Sequence, residues 1–159
     1  MKEKVYLIGM GEYKIASNPT TLVSSGIGSC VVICLYDRTK KIGGMAHAML
    51  PQTPEDYKID DDEEDGARYV DRAVQLLVSN MKSLGCDSSN MMAKIAGGAN
   101  MFSTLGTYSR EIGENNVEMT KKILAEMGIK LVAESTGGTT GRSVEFNLIT
   151  GVVSIVTKL

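Results

Sequence analysis

The chain has 159 residues with a formal net charge of −2; 43% of its residues are hydrophobic and 23% are charged. These values predict one globular domain, residues 1–159, and argue against nucleic-acid binding through bulk charge. No apolar run approaches the length of about eighteen residues that a membrane helix needs, and the N-terminus lacks a signal-peptide core. We therefore expect a cytoplasmic protein without membrane insertion.

The N-terminal third is predicted to be β-structure. Three short apolar segments have strand character: residues 5–8, 11–16 and 20–23. A glycine-rich turn follows, and two further apolar runs flank a polar turn at residues 37–41. This arrangement predicts a β-hairpin with strands at residues 31–36 and 42–50.

The remaining chain alternates between helices and strands. Apolar residues at helical spacing predict a first helix from about Glu64 to Leu84, and the acidic run Asp60–Asp65 suits its N-terminus. The same pattern predicts a second helix from about Asn116 to Met127. Glycines that follow each helix are typical of left-handed caps. Strands are predicted at residues 92–96, 129–133, 143–148 and 152–156. About eight strands and two helices, with many local hairpins, indicate an α+β layered sandwich.

The cysteine pattern limits the chemistry that the chain can perform. There are three cysteines, an odd number, with no C-x-x-C pair and a single histidine, His47. A disulfide framework or a zinc site is therefore not expected. Cys34 and Cys86 are interpreted as structural. Cys30 differs from both because it closes the glycine-rich turn.

Cys30 and His47 form a candidate nucleophile and base. A free thiol with a pKa of about 8.5 is only about 3% thiolate at neutral pH, so a nucleophilic cysteine usually needs a base such as imidazole. If the hairpin loop is Arg38-Thr39, Cys30 lies opposite His47; a register shifted by two residues makes them diagonal neighbours. Either even-length loop leaves both side chains on one face, about 5 to 8 Å apart, whereas an odd loop separates them. The structural alternative is a buried apolar cysteine and a core histidine.

Two other glycine loops lack the sequence patterns of phosphate-binding sites. Gly97-Gly98-Ala99 lacks the spacing of a dinucleotide-binding loop, and Gly137–Gly141 lacks the Gly-Lys-Ser/Thr of a P-loop. Nucleotide binding is therefore weakly supported. The glycines are interpreted as allowing backbone to pack closely near an active site.

Several segments together resemble the CheD family of chemoreceptor glutamine deamidases, in the family's order and spacing. They are GIGSCV (26–31), GMAHAMLP (44–51), KIAGGANMF (94–102), IG (112–113), NV (116–117), TGG (136–138) and GRSV (141–144). The resemblance covers nearly the whole chain. Only residues 52–65, which include the acidic run, look specific to this sequence.

The resemblance implies a thiol amidohydrolase that needs no metal or organic cofactor. The family converts particular glutamine side chains on the cytoplasmic helices of chemotaxis receptors to glutamate, and it partners a CheC-type phosphatase. Its fold is a three-layer α/β/β sandwich. By position, Cys30 is the nucleophile and His47 the base. The family's third catalytic residue is a threonine six positions before the cysteine, where this chain has Ser24.

One further position departs from the family pattern, and three alternative functions compete with glutamine deamidation. Asn115 occupies a position where the family commonly has arginine. A papain-like protease lacks support because its signatures are absent. A thiol redox protein would need a resolving cysteine, a role that Cys34 could fill. A non-catalytic adaptor that only binds the phosphatase would keep the fold without needing Cys30 and His47.

Overall fold

The computed structural model describes residues 3–56, 66–100 and 108–157. The strands in this part of the chain are β1 (Lys4–Leu7), β2 (Tyr13–Ser17), β3 (Thr20–Ile27), β4 (Val31–Asp37), β5 (Ile42–Ala48), β6 (Met91–Gly97), β7 (Lys130–Thr136), β8 (Arg142–Asn147) and β9 (Val153–Thr157). The helices are α1 (Val70–Ser83) and α2 (Tyr108–Glu126), and a short 3-10 turn covers Ser88–Asn90.

Two sheets and a helical layer make up the fold. One sheet has four strands in the order β1-β3-β8-β9, and the other has five in the order β2-β5-β4-β6-β7. Both helices pack against the five-stranded sheet, and the four-stranded sheet covers its opposite face. The result is a three-layer α/β/β sandwich, which confirms the predicted fold class.

Strand β4 lies at the centre of the five-stranded sheet and is buried along its whole length. Val31, Ile33 and Leu35 pack on the helical side. Val32, Cys34 and Tyr36 face the four-stranded sheet. Because both faces are covered, the strand is a continuous apolar run rather than an alternating one. Its register with β5 fixes which side chains of β5 lie between the sheets.

The β4–β5 hairpin adopts the shifted one of the two predicted registers. Val31 pairs with Ala48 and Val32 pairs with His47. The loop therefore has four residues, 38–41, and an Asp37 carboxylate oxygen accepts hydrogen bonds from the Thr39 and Lys40 amides. In this register His47 shares a face with Val32 and points between the sheets.

Helix α1 begins later than predicted. The expected start at Glu64 and the acidic run Asp60–Asp65 lie outside the described residues, but residues 66–69 are described and are not helical. Tyr69 is extended and bridges to Leu50, and the amides of Met49 and Leu50 both donate to the Arg68 carbonyl. This pairing holds the chain in an extended conformation until Val70. The predicted cap at Gly85, with a φ of 94°, is confirmed.

Helix α2 begins at Tyr108, eight residues before the predicted start at Asn116. The prediction rested on apolar spacing from Asn116 onward, and Gly113 and Asn115 before it are poor helix formers. Gly113 instead lies inside the helix, where a Cβ would stand 2.7 Å from the Gly98 carbonyl oxygen. The close packing of helix backbone against the loop after β6 therefore overrides local propensity.

A helix that crosses a membrane must be both long and apolar. Across the residues that the structure describes, neither helix combines the length and apolar character required to cross a bilayer.

Candidate functional site

The site lies between the two sheets, where β3 and β5 face each other. His47 of β5 is 1% exposed, and Ser24 of β3 is 2% exposed. The Ser24 Oγ and the His47 Nδ1 are 2.9 Å apart. A break in the β3–β8 register follows Ser24, and Gly26 takes a φ of 69° in the same segment. The bulged end of β3 leads directly into the turn that carries Cys30.

The hydrogen bonds of Ser24 determine the tautomer of His47. The Ser24 Oγ donates to the Ile8 carbonyl oxygen at 2.6 Å. A hydroxyl has one proton, and a carbonyl can only accept. Ser24 must therefore accept from His47, which places the imidazole proton on Nδ1 and leaves Nε2 with a free lone pair. The Nε2 atom is buried and has no hydrogen-bond partner among the described residues.

Backbone hydrogen bonds position His47, and burial sets the basicity of its imidazole. The backbone of His47 is held on both sides, since its amide donates to the Glu12 carbonyl and its carbonyl accepts from the Gly11 amide. Burial lowers the pKa of His47 below its ordinary value, although the Ile8 carbonyl and the Glu12 carboxylate partly oppose this shift. The ring is therefore neutral at pH 7 and able to accept a proton.

Cys30 is half-buried and immediately precedes β4. It is two residues before Val32, the partner of His47, and one residue before Val31, where the pairing of β4 with β5 begins. Burial raises the pKa of the Cys30 thiol, and its own backbone N–H partly opposes that rise. The thiol is therefore protonated at neutral pH and would need a base to become a nucleophile.

The loop after β6 supports the Cys30 turn. The Gly98 amide donates to the Cys30 carbonyl at 2.8 Å, and the Ala99 amide donates to the Gly28 carbonyl at 2.9 Å. Buried Arg142 connects this loop to the one before β8, because its guanidinium donates to the Gly97 and Gly137 carbonyls. The backbone of the loop after β6 therefore packs closely against the Cys30 turn, and the loop before β8 packs against the loop after β6.

Comparison with known proteins places the chain in a family. The family model described as CheD chemotactic sensory transduction matches residues 49–157. The chemoreceptor glutamine deamidase CheD of Thermotoga maritima is 46% identical over 145 residues, covering 91% of this chain and 87% of that protein. The protein of the same name from Halalkalibacterium halodurans is 42% identical over 154 residues, covering 96% and 93%. The chain belongs to the CheD family.

The CheD fold also resembles a solved structure of low sequence similarity. The crystal structure of Neisseria meningitidis protein NMB0706, assigned to the DUF152 family, aligns with a TM-score of 0.50 and 10% identity. The alignment covers 84% of this chain and 64% of that one. The likeness concerns the fold alone.

Sequence reasoning missed one side chain at this CheD site. Asn116 of α2 is fully buried, and its amide nitrogen donates to the Ser29 and Met49 carbonyls. The residue was noted only as part of the family resemblance and as the expected helix start. An asparagine on the inward face of a helix was the available signal, because a buried amide needs polar partners.

Among the residues that the structure describes, no three His, Cys, Asp or Glu side chains lie together in a way that could hold a metal ion. Ser24, His47 and the Cys30 turn are the predicted site residues, and all three lie in described segments. The structure brings Ser24 and His47 into contact and places Cys30 immediately before β4, two residues from the strand partner of His47.

Cys30 should be the first thiol that iodoacetamide modifies at neutral pH. Cys34 and Cys86 are 2% and 6% exposed, and burial raises the pKa of Cys86 to about 11. Cys30 is half-buried and therefore more accessible than either of them. Peptide mapping after limited labelling checks this order, and earlier modification of Cys86 would count against Cys30 as the reactive thiol.

Proposed function

We propose that this chain is a chemoreceptor glutamine deamidase that uses Cys30 as nucleophile and His47 as base. The curated relatives are named for this activity and share most of the chain. The observation that carries the catalytic assignment is the hydrogen-bond relay from His47 through Ser24 to the Ile8 carbonyl. This relay leaves the Nε2 lone pair available, and the proposal assigns that lone pair to the Cys30 thiol proton.

In the first half of the proposed reaction, the Cys30 sulfur attacks the carbonyl carbon of a substrate glutamine side chain. The thiol proton passes to His47 Nε2, and the resulting imidazolium is stabilised by its bond to Ser24. His47 then gives this proton to the departing nitrogen, the C–N bond breaks, and ammonia leaves. The substrate remains attached to Cys30 as a thioester.

In the second half, water attacks the thioester carbonyl carbon while His47 accepts a proton from it. The C–S bond breaks, the thiolate recovers its proton, and glutamate is released. Each half passes through a tetrahedral oxyanion. The Cys30 backbone N–H, which opposes the rise in the pKa of its own thiol, is the donor that we assign to that oxyanion.

Ser24 fills the third role in this proposal, which is to orient the imidazole and keep its proton on Nδ1. Serine replaces the threonine that the family resemblance implies at this position. The γ-methyl of threonine restricts χ1. Here the bond to the Ile8 carbonyl supplies a restraint on the serine hydroxyl.

The proposed substrates are glutamines on the cytoplasmic helices of chemoreceptors, and a CheC-type phosphatase is the proposed protein partner. Membership of the CheD family supports both proposals, and it supports a cytoplasmic location. A non-catalytic adaptor is the second candidate function, but it gives no reason for a buried imidazole with an oriented tautomer and a free Nε2. A dithiol redox role is disfavoured because Cys34 is 2% exposed.

The proposal is tested by incubating purified receptor cytoplasmic fragments with and without this protein. Peptide mass spectrometry should reveal glutamine-to-glutamate conversion at a small set of positions only when the protein is present. Binding of a CheC-type phosphatase without any conversion would favour the adaptor function instead.

Ser24→Ala should lower the deamidation rate while Cys30 remains in place, because the imidazole loses its Nδ1 acceptor and can take the other tautomer. Ser24→Thr should retain or raise the rate, since it keeps the hydroxyl and restricts χ1. Ser25, the exposed neighbour, provides the matched control: Ser25→Ala should leave the rate unchanged. A fully active Ser24→Ala variant would remove Ser24 from the mechanism.

A further inference from the structure

Asn116 joins the two segments that carry the proposed nucleophile and base. Its Nδ2 donates to the Ser29 carbonyl at 2.9 Å and to the Met49 carbonyl at 3.0 Å. Ser29 immediately precedes Cys30, and Met49 is two residues after His47. One side-chain amide therefore holds both segments from a third element, helix α2.

The chemistry of the two carbonyls fixes the orientation of the amide. Carbonyl oxygens only accept, so the NH2 group of Asn116 must face them and both of its protons are used. The Oδ1 atom then points elsewhere, and it is buried without a hydrogen-bond partner among the described residues. Leaving a buried acceptor unpaired is unfavourable. A residue retained at that cost is better explained by what its two donated bonds accomplish.

The helix around Asn116 is built to hold it in place. The Thr120 hydroxyl donates to the Asn116 carbonyl at 2.7 Å, one turn along the helix. Gly113, one turn before Asn116, lets the helix backbone approach Gly98, whose amide donates to the Cys30 carbonyl. The same stretch of α2 thus reaches the Cys30 turn through Asn116 and through the loop after β6.

We propose that Asn116 is a positioning residue that sets the separation between Cys30 and His47. The inference rests on the proposed roles of these two residues. The Ser29 and Met49 carbonyls lie just beyond the paired ends of the two hairpin strands, which end at Val31 and Ala48. Fixing both to one amide restricts the thiol and the imidazole to a single relative position.

Asn116→Asp tests the proposal because aspartate has the same shape but cannot donate when ionised. It would face two carbonyl oxygens and repel them. We expect kcat for deamidation to fall about 10²-fold, the loss typical of a small misplacement of catalytic groups, with KM nearly unchanged. Asn115→Asp is the matched control, since it makes the same change at the adjacent exposed residue. It should leave kcat unchanged.

Alkylation of Cys30 as a function of pH gives a readout that does not depend on receptor deamidation. In the wild-type protein, His47 should support alkylation at neutral pH, well below the pH at which the thiol ionises. Asn116→Asp should lose this neutral-pH reactivity but keep its alkylation rate at high pH. His47→Ala should behave in the same way. If the wild-type protein alkylates in this way but deamidates nothing, the proposed function fails and the Asn116 assignment stands.

Two results would overturn the assignment. One is a folded Asn116→Asp variant with wild-type kcat and wild-type neutral-pH alkylation. The other is loss of the fold in both Asn116→Asp and Asn116→Ala, measured by thermal unfolding, because Asn116 would then be needed for folding rather than for positioning. A folded Asn116→Ala variant with reduced neutral-pH alkylation would support it.

Discussion

His47→Ala should lower the deamidation rate by about 10² to 10⁴, the contribution typical of a general base. The alanine variant has no group that can accept the Cys30 proton or return it to the leaving nitrogen. Peptide mass spectrometry of a receptor fragment over a time course measures the effect. A folded variant that deamidates at nearly the wild-type rate would rule out His47 as the base.

His47→Asn is the control that separates base catalysis from packing. Asparagine keeps an N–H that can donate to Ser24, but it cannot accept a proton at neutral pH. Its activity should be as low as that of His47→Ala, and its stability should be closer to that of the wild-type protein. Recovery of activity in His47→Asn would mean that the histidine acts through structure.

The wild-type pH profile follows from the same assignment. Burial lowers the pKa of His47, so its neutral form persists to lower pH. The midpoint of the acid limb of kcat/KM should therefore lie below the ordinary histidine pKa of about 6.5. The raised pKa of Cys30 keeps the thiol proton available into the alkaline range. His47→Ala should remove the acid limb.

Gly97→Ala should destabilise the protein by about 3 to 5 kcal/mol, a loss reached only through a severe local conflict. Gly97 has a φ of 121°, and a Cβ there would stand 2.1 Å from the Cys30 carbonyl oxygen. The Cys30 turn would have to move to make room. Urea unfolding measures the stability, and the variant should also lose preferential labelling of Cys30.

Gly128→Ala separates the conformational cost from the steric one. Gly128 also has a positive φ, 70°, but a Cβ there would have no neighbour within 4 Å. This variant should lose only about 1 to 2 kcal/mol, the cost of placing alanine in the left-handed region. Equal losses in the two variants would show that contact between Gly97 and Cys30 is not responsible.

Sequence alone was sufficient for the layers of the fold but not for its boundaries. The apolar run at residues 31–36 predicts a strand, and the structure has β4 there, buried on both faces. The start of α2 could not be predicted from propensity, because the position of Gly113 is determined by its packing against Gly98. The start of α1 depends likewise on pairing between Tyr69 and Leu50.

The site shows the same division between local and long-range information. Alternation in the hairpin predicts that His47 and Cys30 share a face, but two even-length loops were compatible with the sequence and only the structure selects four residues. The contacts of Asn116 span 87 and 67 positions of the chain. An asparagine on the inward face of a helix signals buried polar partners, but no local pattern reports bonds of that range, so the partners could be identified only from the fold.

The most direct test of the central claim compares the wild-type protein with Cys30→Ser on the same receptor cytoplasmic fragment. The substitution exchanges one atom, and a neutral imidazole cannot readily activate the much less acidic hydroxyl. Peptide mass spectrometry should show glutamine converted to glutamate by the wild-type protein and no conversion by the variant. Conversion at equal rates by both proteins, or by neither, would contradict the assignment of Cys30 as the nucleophile of a glutamine deamidase.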